Sequence, residues 1–224
     1  MRCSHCRPRL VTAEPIDAAS EASALRRRLE GLNLYLVGMM GAGKSAVGRP
    51  LAEALGYRFV DADTAIEVVA GRPIPQIFAE QGEAGFRELE TAVIGQIAAW
   101  HSLVVATGGG VVTRPENWGH MRQGVVIWLD APAELLLARL SADPTPRPLL
   151  QSADRQARLQ ALLQERRPLY QQADLQISQS GEPPAAVAEL VLQSLPGILK
   201  GREAPPEGGV VLQDGDGQLL QSFN

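Results

Sequence analysis

The chain has 224 residues, the length of one domain or of one domain with tails. Hydrophobic residues make up 45% and aromatic residues 4%, so a full core is available and must be built mainly from Leu, Val, Ile and Ala. A formal net charge of −4 argues against a general nucleic-acid binder, which needs a basic surface, and no apolar run reaches the roughly 18 residues of a membrane span.

At the start of the chain no continuous apolar stretch suggests a secretory signal, and Glu14, Asp17 and Glu21 weaken a transit-peptide reading of the Arg-rich opening. Cys3 and Cys6 flank His5 in a lone CSHC. A zinc site would need two more ligands, and His101 and His120 lie far along the chain. Two cysteines this close make no disulfide framework, which fits a reducing, cytoplasmic setting. Residues 1–30 read as a variable leader ending in a short basic helical segment, Ala24–Leu29. Residues 31–197 read as the folded domain, and 198–224 as a mobile tail rich in Pro, Gly and polar residues.

The domain opens with an apolar run, Leu32–Val37, followed by Gly38–Ser45, which reads GMMGAGKS. A strand, a glycine-spaced loop ending in Gly-Lys-Ser and then a helix form a phosphate-binding loop. Its backbone N–H groups and the dipole of the new helix favour an anion at one spot. Lys44 can reach the outer phosphates of a nucleoside triphosphate, and the Ser45 hydroxyl can ligate the Mg²⁺ that rides on them. The helix is expected over Ser45–Leu55, closed by Gly56. A short strand, Tyr57–Val60, ends at Asp61-Ala62-Asp63, and Thr64–Ala70 is helical up to Gly71.

Residues Pro75–Trp100 carry apolar residues at helical spacing, with Gly82 and Gly85 dividing two helices. Leu103–Ala106 is a buried-strand run leading into Thr107 and Gly108–Gly110. Val125–Leu129 is another strand, with Pro132 opening a helix to Leu140. A segment of about 141–153, with Pro144, Pro146 and Pro148 around Arg147, has the makings of a mobile lid. Asp154–Arg167 is a charged helix, Leu175–Ile177 the last strand and Pro184–Leu195 the last helix.

Near-continuous apolar strands alternating with helices imply an α/β fold, a parallel sheet covered on both faces. Ligands in such sheets bind beyond the carboxyl ends of the strands, so the phosphate loop, Asp61 with Asp63, and Gly108–Gly110 should line one crevice. Phosphoryl transfer needs positioning and positive charge more than covalent chemistry. Asp61 and Asp63, two apart on a strand end, should project to the same side, one toward a metal and the other toward an acceptor hydroxyl. An alternative for this pair is an N-cap for the helix that follows, and Asp63 could serve both purposes. Arg87 and Arg166 are candidate carboxylate clamps. Three consecutive glycines suggest that backbone must approach a ligand closely.

Together these motifs resemble the shikimate kinases, within the nucleoside-monophosphate-kinase-like P-loop proteins. The matching pieces are GMMGAGKS with Gly48, DAD at 61–63 with Ile66-Glu67, GFRELE at 85–90, ATGGG at 106–110, RPLL at 147–150 and ERRPLY at 165–170. They stand in family order across roughly residues 32–195. The stretch Val112–Trp118 and the GVVIWLD strand look most like the plant and cyanobacterial branch. The resemblance implies a five-stranded parallel sheet of order 2-3-1-4-5 with helices on both faces and a mobile lid. It also implies a kinase that uses ATP with Mg²⁺ to phosphorylate shikimate in aromatic amino-acid biosynthesis. The implied nucleotide-binding residues are Gly41, Ala42, Gly43, Lys44, Ser45, Ala46, Arg139 and Arg147. Asp63 is the implied base, with Lys44 and Arg147 its catalytic partners. Asp63, Arg87, Gly109 and Arg166 hold the substrate, and Ser45 and, through water, Asp61 hold the metal. The protein is expected to act as a monomer, without nucleic acid or membrane. Chain chemistry alone leaves two alternatives open, a gluconate-like or nucleotide kinase and an inactive ATP-binding homologue.

Overall fold

The computed structural model describes residues 18–143, 154–199, 211–213 and 219–222; most of the expected lid, including Arg147, lies outside them. β1 (Leu34–Val37) runs through the middle of a parallel sheet. It is flanked by β3 (Leu103–Ala106) and β4 (Val125–Asp130), with β2 (Arg58–Asp61) and β5 (Leu175–Ser178) at the edges. The order is 2-3-1-4-5, as the resemblance implied, and every pairing is parallel. The three inner strands are almost wholly buried because helices cover both faces, which is why they read as unbroken apolar runs. The edge strands are only partly covered.

Register decides where the site forms. Leu36 pairs with Ala106, and Ala106 with Asp61, so β1, β3 and β2 finish level with one another. The segments that follow them therefore emerge side by side at the carboxyl edge.

One face of the sheet packs α2 (Lys44–Leu55) and α8 (Pro184–Ile198) through Leu51, Leu55, Val187, Val191 and Leu195. The other carries α4 (Ile74–Ala98) and α5 (Pro115–Met121) through Phe86, Val93, Ile94, Trp118 and Met121. α3 (Ala62–Ala70) begins one residue after β2 ends, and α6 (Ala133–Ala142) and α7 (Arg155–Tyr170) flank the expected lid.

Several boundaries differ from the sequence reading. α3 starts at Ala62 rather than Thr64, because the Asp61 carboxylate caps it, accepting from the backbone N–H groups of Asp63 and Thr64. Asp61 and Asp63 are therefore not two positions of one strand: the first closes β2 and the second lies in the first helical turn. Gly82 does interrupt α4, with φ 67 and ψ −175, whereas Gly85 continues the helix. α7 runs on through Pro168 to Tyr170, and α8 through Pro196 to Ile198. A short 3₁₀ turn over Val111–Thr113 and α5 went unpredicted. Asn117 Nδ2 and Trp118 Nε1 donate to the carbonyls of Val111 and Val112, fastening the segment just beyond the glycine triplet.

The larger departure is at the N-terminus. α1 (Ala18–Leu29) belongs to the fold: Leu25 and Leu29 are buried against the α2–α8 layer. Arg28 Nη2 donates to the Leu199 carbonyl at 2.9 Å and to the Pro196 carbonyl at 3.3 Å, satisfying acceptors at the end of α8. The boundary expected at residue 31 falls just after α1 and leaves this packed helix outside the domain. In the tail, β6 (Val211–Gln213) pairs antiparallel with β7 (Leu219–Ser222), regular structure that its polar composition did not announce.

Candidate active site

The phosphate loop leaves β1 at Val37 and enters α2 at Lys44. Gly38, Gly41 and Gly43 take φ of 142°, 81° and 84°, which explains the glycine spacing of the motif. Lys44 Nζ folds back onto the carbonyls of Gly38 and Met39 at 2.9 and 3.0 Å. The first turn of α2 thus faces a cavity of about 270 Å³ lined by Gly41, Gly43, Lys44, Ser45, Ala46, Thr107 and Arg139. Its backbone donors and dipole suit an anion.

A second cavity of about 450 Å³ lies beside it, between α3, α4 and the glycine triplet. Its polar lining includes Asp63, Arg87, Glu90 and Arg166, and its apolar lining Ile74, Pro75, Phe78 and Phe86. Met40, Ser45, Asp61, Asp63 and Gly109 line both cavities. A group passing from one to the other must cross this shared wall.

Ser45 Oγ donates to Asp61 Oδ2 at 2.5 Å, and Asp61 Oδ1 accepts from Asp63 N at 3.1 Å. One carboxylate therefore caps α3 and also meets the first turn of α2. Helix geometry, rather than strand alternation, carries Asp63 into both cavities.

Arg87 is 6% exposed and Glu90 wholly buried. Arg87 Nη1 donates to Glu90 Oε2 at 2.6 Å and Nη2 to Glu83 Oε1 at 3.1 Å, which fixes the guanidinium along the cavity wall. Burial pushes the Glu90 carboxyl above its ordinary value. Arg87 opposes that rise and the Asp63 carboxylate adds to it. For Arg87, burial opposes the charge, but Glu90 and Glu83 together raise its value. Glu90 Oε1 is buried without a hydrogen-bond partner.

The glycine triplet joins these parts. None of Gly108, Gly109 and Gly110 takes a positive φ, so their requirement is space. A Cβ on Gly108 would sit 2.6 Å from Glu90 Oε1 and 3.0 Å from Asp63 Oδ1, and one on Gly110 within 2.0 Å of Arg87 Nη2. Arg166 Nη1 and the Tyr170 hydroxyl, one helical turn apart on α7, both donate to the Gly109 carbonyl, at 3.2 and 2.5 Å. Burial raises the Tyr170 phenol to about 12, so it is a proton donor throughout the working range.

Arg139, on α6, edges the loop cavity, with Nη1 donating to Gly41 O at 3.3 Å and Gln179 Oε1 at 3.2 Å. Lys44, Ser45, Asp61, Asp63, Arg87, Gly109, Arg139 and Arg166 thus meet at the two cavities, while Arg147 lies outside the described residues. Glu90, Tyr170 and Gln179 were not singled out from sequence. Glu90 could have been, since it stands three residues after Arg87 on one helical face. Nothing local marks Gln179.

A P-loop entering a helix beside an acid-and-arginine cavity, on a 2-3-1-4-5 parallel sheet, defines a phosphotransferase of the nucleoside-monophosphate-kinase-like class. Comparison with known proteins narrows this. The shikimate kinase family model matches residues 40–196. Shikimate kinase from Synechococcus sp. (strain RCC307) is 60% identical over 181 residues, covering 81% of this chain and 93% of its own. That of Nostoc punctiforme is 51% identical over 173 residues, 77% of this chain and 95% of its own. Among solved structures, shikimate kinase from Acinetobacter baumannii, determined in complex with shikimate, superposes with a TM-score of 0.74 at 40% identity, covering 77% of this chain and 97% of that one. The chain belongs to the shikimate kinase family.

Proposed function

We propose that this protein transfers the γ-phosphoryl group of ATP to the 3-hydroxyl of shikimate, releasing ADP and shikimate 3-phosphate in the route to aromatic amino acids. The observation that carries the reading is the shared wall, where Asp63 stands between a phosphate-loop cavity and a cavity bearing two arginines. An acceptor with one carboxylate and several hydroxyls matches this second cavity. Arg87 and Arg166 hold the carboxylate, and the Gly109 backbone lies against the ring. Phe78 and Phe86, with ring centroids 4.7 Å apart, supply an apolar wall.

In this reading Asp63 orients the attacking hydroxyl and takes its proton as the new O–P bond forms. The bond from the γ-phosphorus to the bridging oxygen breaks, and the charge passes to the ADP oxygens. Lys44 and the N–H groups of the α2 N-terminus receive that charge, with Lys44 exchanging its contacts to Gly38 and Met39 for phosphate oxygens. Arg139 lies against the nucleotide base, and Arg147 is the lid arginine of this reading.

The Ser45–Asp61 pair suits Mg²⁺. Both groups are hard oxygen donors on the shared wall, and among the described residues no cluster of three or more His, Cys, Asp or Glu offers an all-protein cage. Ser45 would bind the ion directly and Asp61 through water. When bound, it would neutralise charge on the β- and γ-phosphate oxygens. A cytoplasmic, monomeric protein completes the proposal. Among the described residues no helix is long and apolar enough to cross a membrane.

A coupled ADP-release assay with shikimate, gluconate and AMP tests the acceptor; turnover is expected with shikimate alone, and comparable turnover with gluconate would sink the assignment. Asp63→Asn should lower kcat by about 10²–10⁴-fold while ATP binding persists. Full activity in that variant would remove Asp63 as the base.

A further inference from the structure

Behind the phosphate loop lies a buried polar side chain, Gln179, with no part in the reading so far. Gln179, the first residue beyond β5, is 5% exposed, and its backbone N–H donates to the Asp130 carbonyl at 2.8 Å. Both ends of its amide are used. Nε2 donates to the Ala42 carbonyl of the phosphate loop at 3.0 Å, and Oε1 accepts from Arg139 Nη1 at 3.2 Å. The amide orientation is settled by its partners, since a carbonyl can only accept and a guanidinium can only donate.

The Ala42 carbonyl belongs to the same planar peptide unit as the Gly43 N–H. In a trans peptide these two groups point in opposite directions. Gly43 sits at φ 84, and a Cβ there would meet nothing nearer than Arg139 Nη1 at 3.6 Å, so packing does little to restrict this glycine. Anchoring the Ala42 carbonyl on the β5 side therefore sets the direction of the Gly43 N–H at the start of α2, where the loop cavity lies. The second arm holds Arg139 at the edge of the same cavity.

We propose that Gln179 is a positioning residue for the nucleotide. It preorganises the Ala42–Gly43 peptide for the phosphates and fixes Arg139 for the rest of the nucleotide. The proposal rests on the reading of the loop cavity as the ATP site. It predicts an effect on ATP that spares the acceptor, because Gln179 does not line the acceptor cavity.

Two variants test it in the full chain. Gln179→Leu removes both arms. Gln179→Glu keeps an acceptor for Arg139 but sets a carboxylate against the Ala42 carbonyl. ATP and ADP dissociation constants measured by calorimetry should each rise about tenfold, the loss of one buried hydrogen bond. KM for ATP should follow, with shikimate affinity and kcat at saturating ATP unchanged. Thermal melts establish that the variants are folded, and if Gln179→Leu does not fold, the size-matched Gln179→Glu carries the test. Unchanged nucleotide affinity in a folded variant overturns the proposal, as does an equal loss of shikimate affinity. Failure of the unsubstituted protein to bind ATP would overturn the ATP-site reading instead.

Discussion

Gly110→Ala probes the acceptor cavity with a single methyl group. Gly110 sits at φ −105 and ψ 1, a conformation open to alanine, so backbone strain does not confuse the result. The added Cβ would fall 2.0 Å from Arg87 Nη2, 2.5 Å from Cζ and 2.6 Å from Nη1, inside the guanidinium. Arg87 must move, and it is not free to do so cheaply. It is paired at 2.6 Å with the wholly buried Glu90 and at 3.1 Å with Glu83.

Losing one partner of a buried pair costs about 3–5 kcal/mol; displacing it, with part of the contact kept, should cost about 2 kcal/mol. For a domain of this size that is a fall in Tm of about 4–8 °C. If Arg87 also holds the shikimate carboxylate, losing that charge-assisted bond should raise KM for shikimate by about 10–100-fold. KM for ATP should change little, since neither Gly110 nor Arg87 lines the loop cavity. The assay is coupled ADP release with each substrate varied in turn, beside a thermal melt. Gly119→Ala, in α5 with nothing within 4 Å of the new methyl, is the control and should be neutral or stabilising by up to about 1 kcal/mol. Wild-type KM for shikimate and an unshifted Tm in Gly110→Ala would refute the packing argument.

Deleting residues 1–30 removes Leu25, Leu29 and the two bonds from Arg28 to the end of α8, and should cost about 3–6 kcal/mol from the two leucines alone. Urea unfolding measures this, and an unchanged midpoint would mean that α1 is dispensable. Glu90 should also leave a signature in the pH dependence of stability. Its folded value is raised, so its contribution is complete below the ordinary carboxylate value of 4.5 and is lost as pH rises through the folded value. Relative to Glu90→Gln, the wild type should therefore lose stability as pH rises from about 4.5. A pH-independent difference between the two in urea titrations would show that burial does not control this carboxylate.

Much of the nucleotide half of the site was legible in the chain, because its determinants are local. Glycines at 38, 41 and 43 are spaced for a loop with positive φ, and Lys44-Ser45 opens a helix straight after an apolar strand. The acceptor half was legible only in part. Guanidinium chemistry marks Arg87 and Arg166 as candidates and the resemblance gives them a ligand, but Glu90 and Tyr170, which hold Arg87 and Gly109 in place, carry no such mark. Asp61 and Asp63 do share one crevice, but by the N-cap alternative rather than by strand alternation: Asp61 is the cap, α3 starts at Ala62, and helix geometry turns Asp63 into the cavities.

The alternation of strands and helices, the phosphate loop and the glycines at 38, 41 and 43 can be read from the chain alone, since each follows from backbone propensity and short-range pattern. Tertiary packing explains why the triplet is glycine: Glu90 and Asp63 crowd Gly108, Arg87 crowds Gly110, and Gly109 lies against the phosphate-loop backbone at Met40. It also decided that α1 is part of the domain and that Gln179 spans from β5 to the phosphate loop. Those contacts join residues as far apart as Arg28 and Leu199, 171 positions, and it is the parallel register of the strands, rather than any local preference, that brings the functional segments level at one edge.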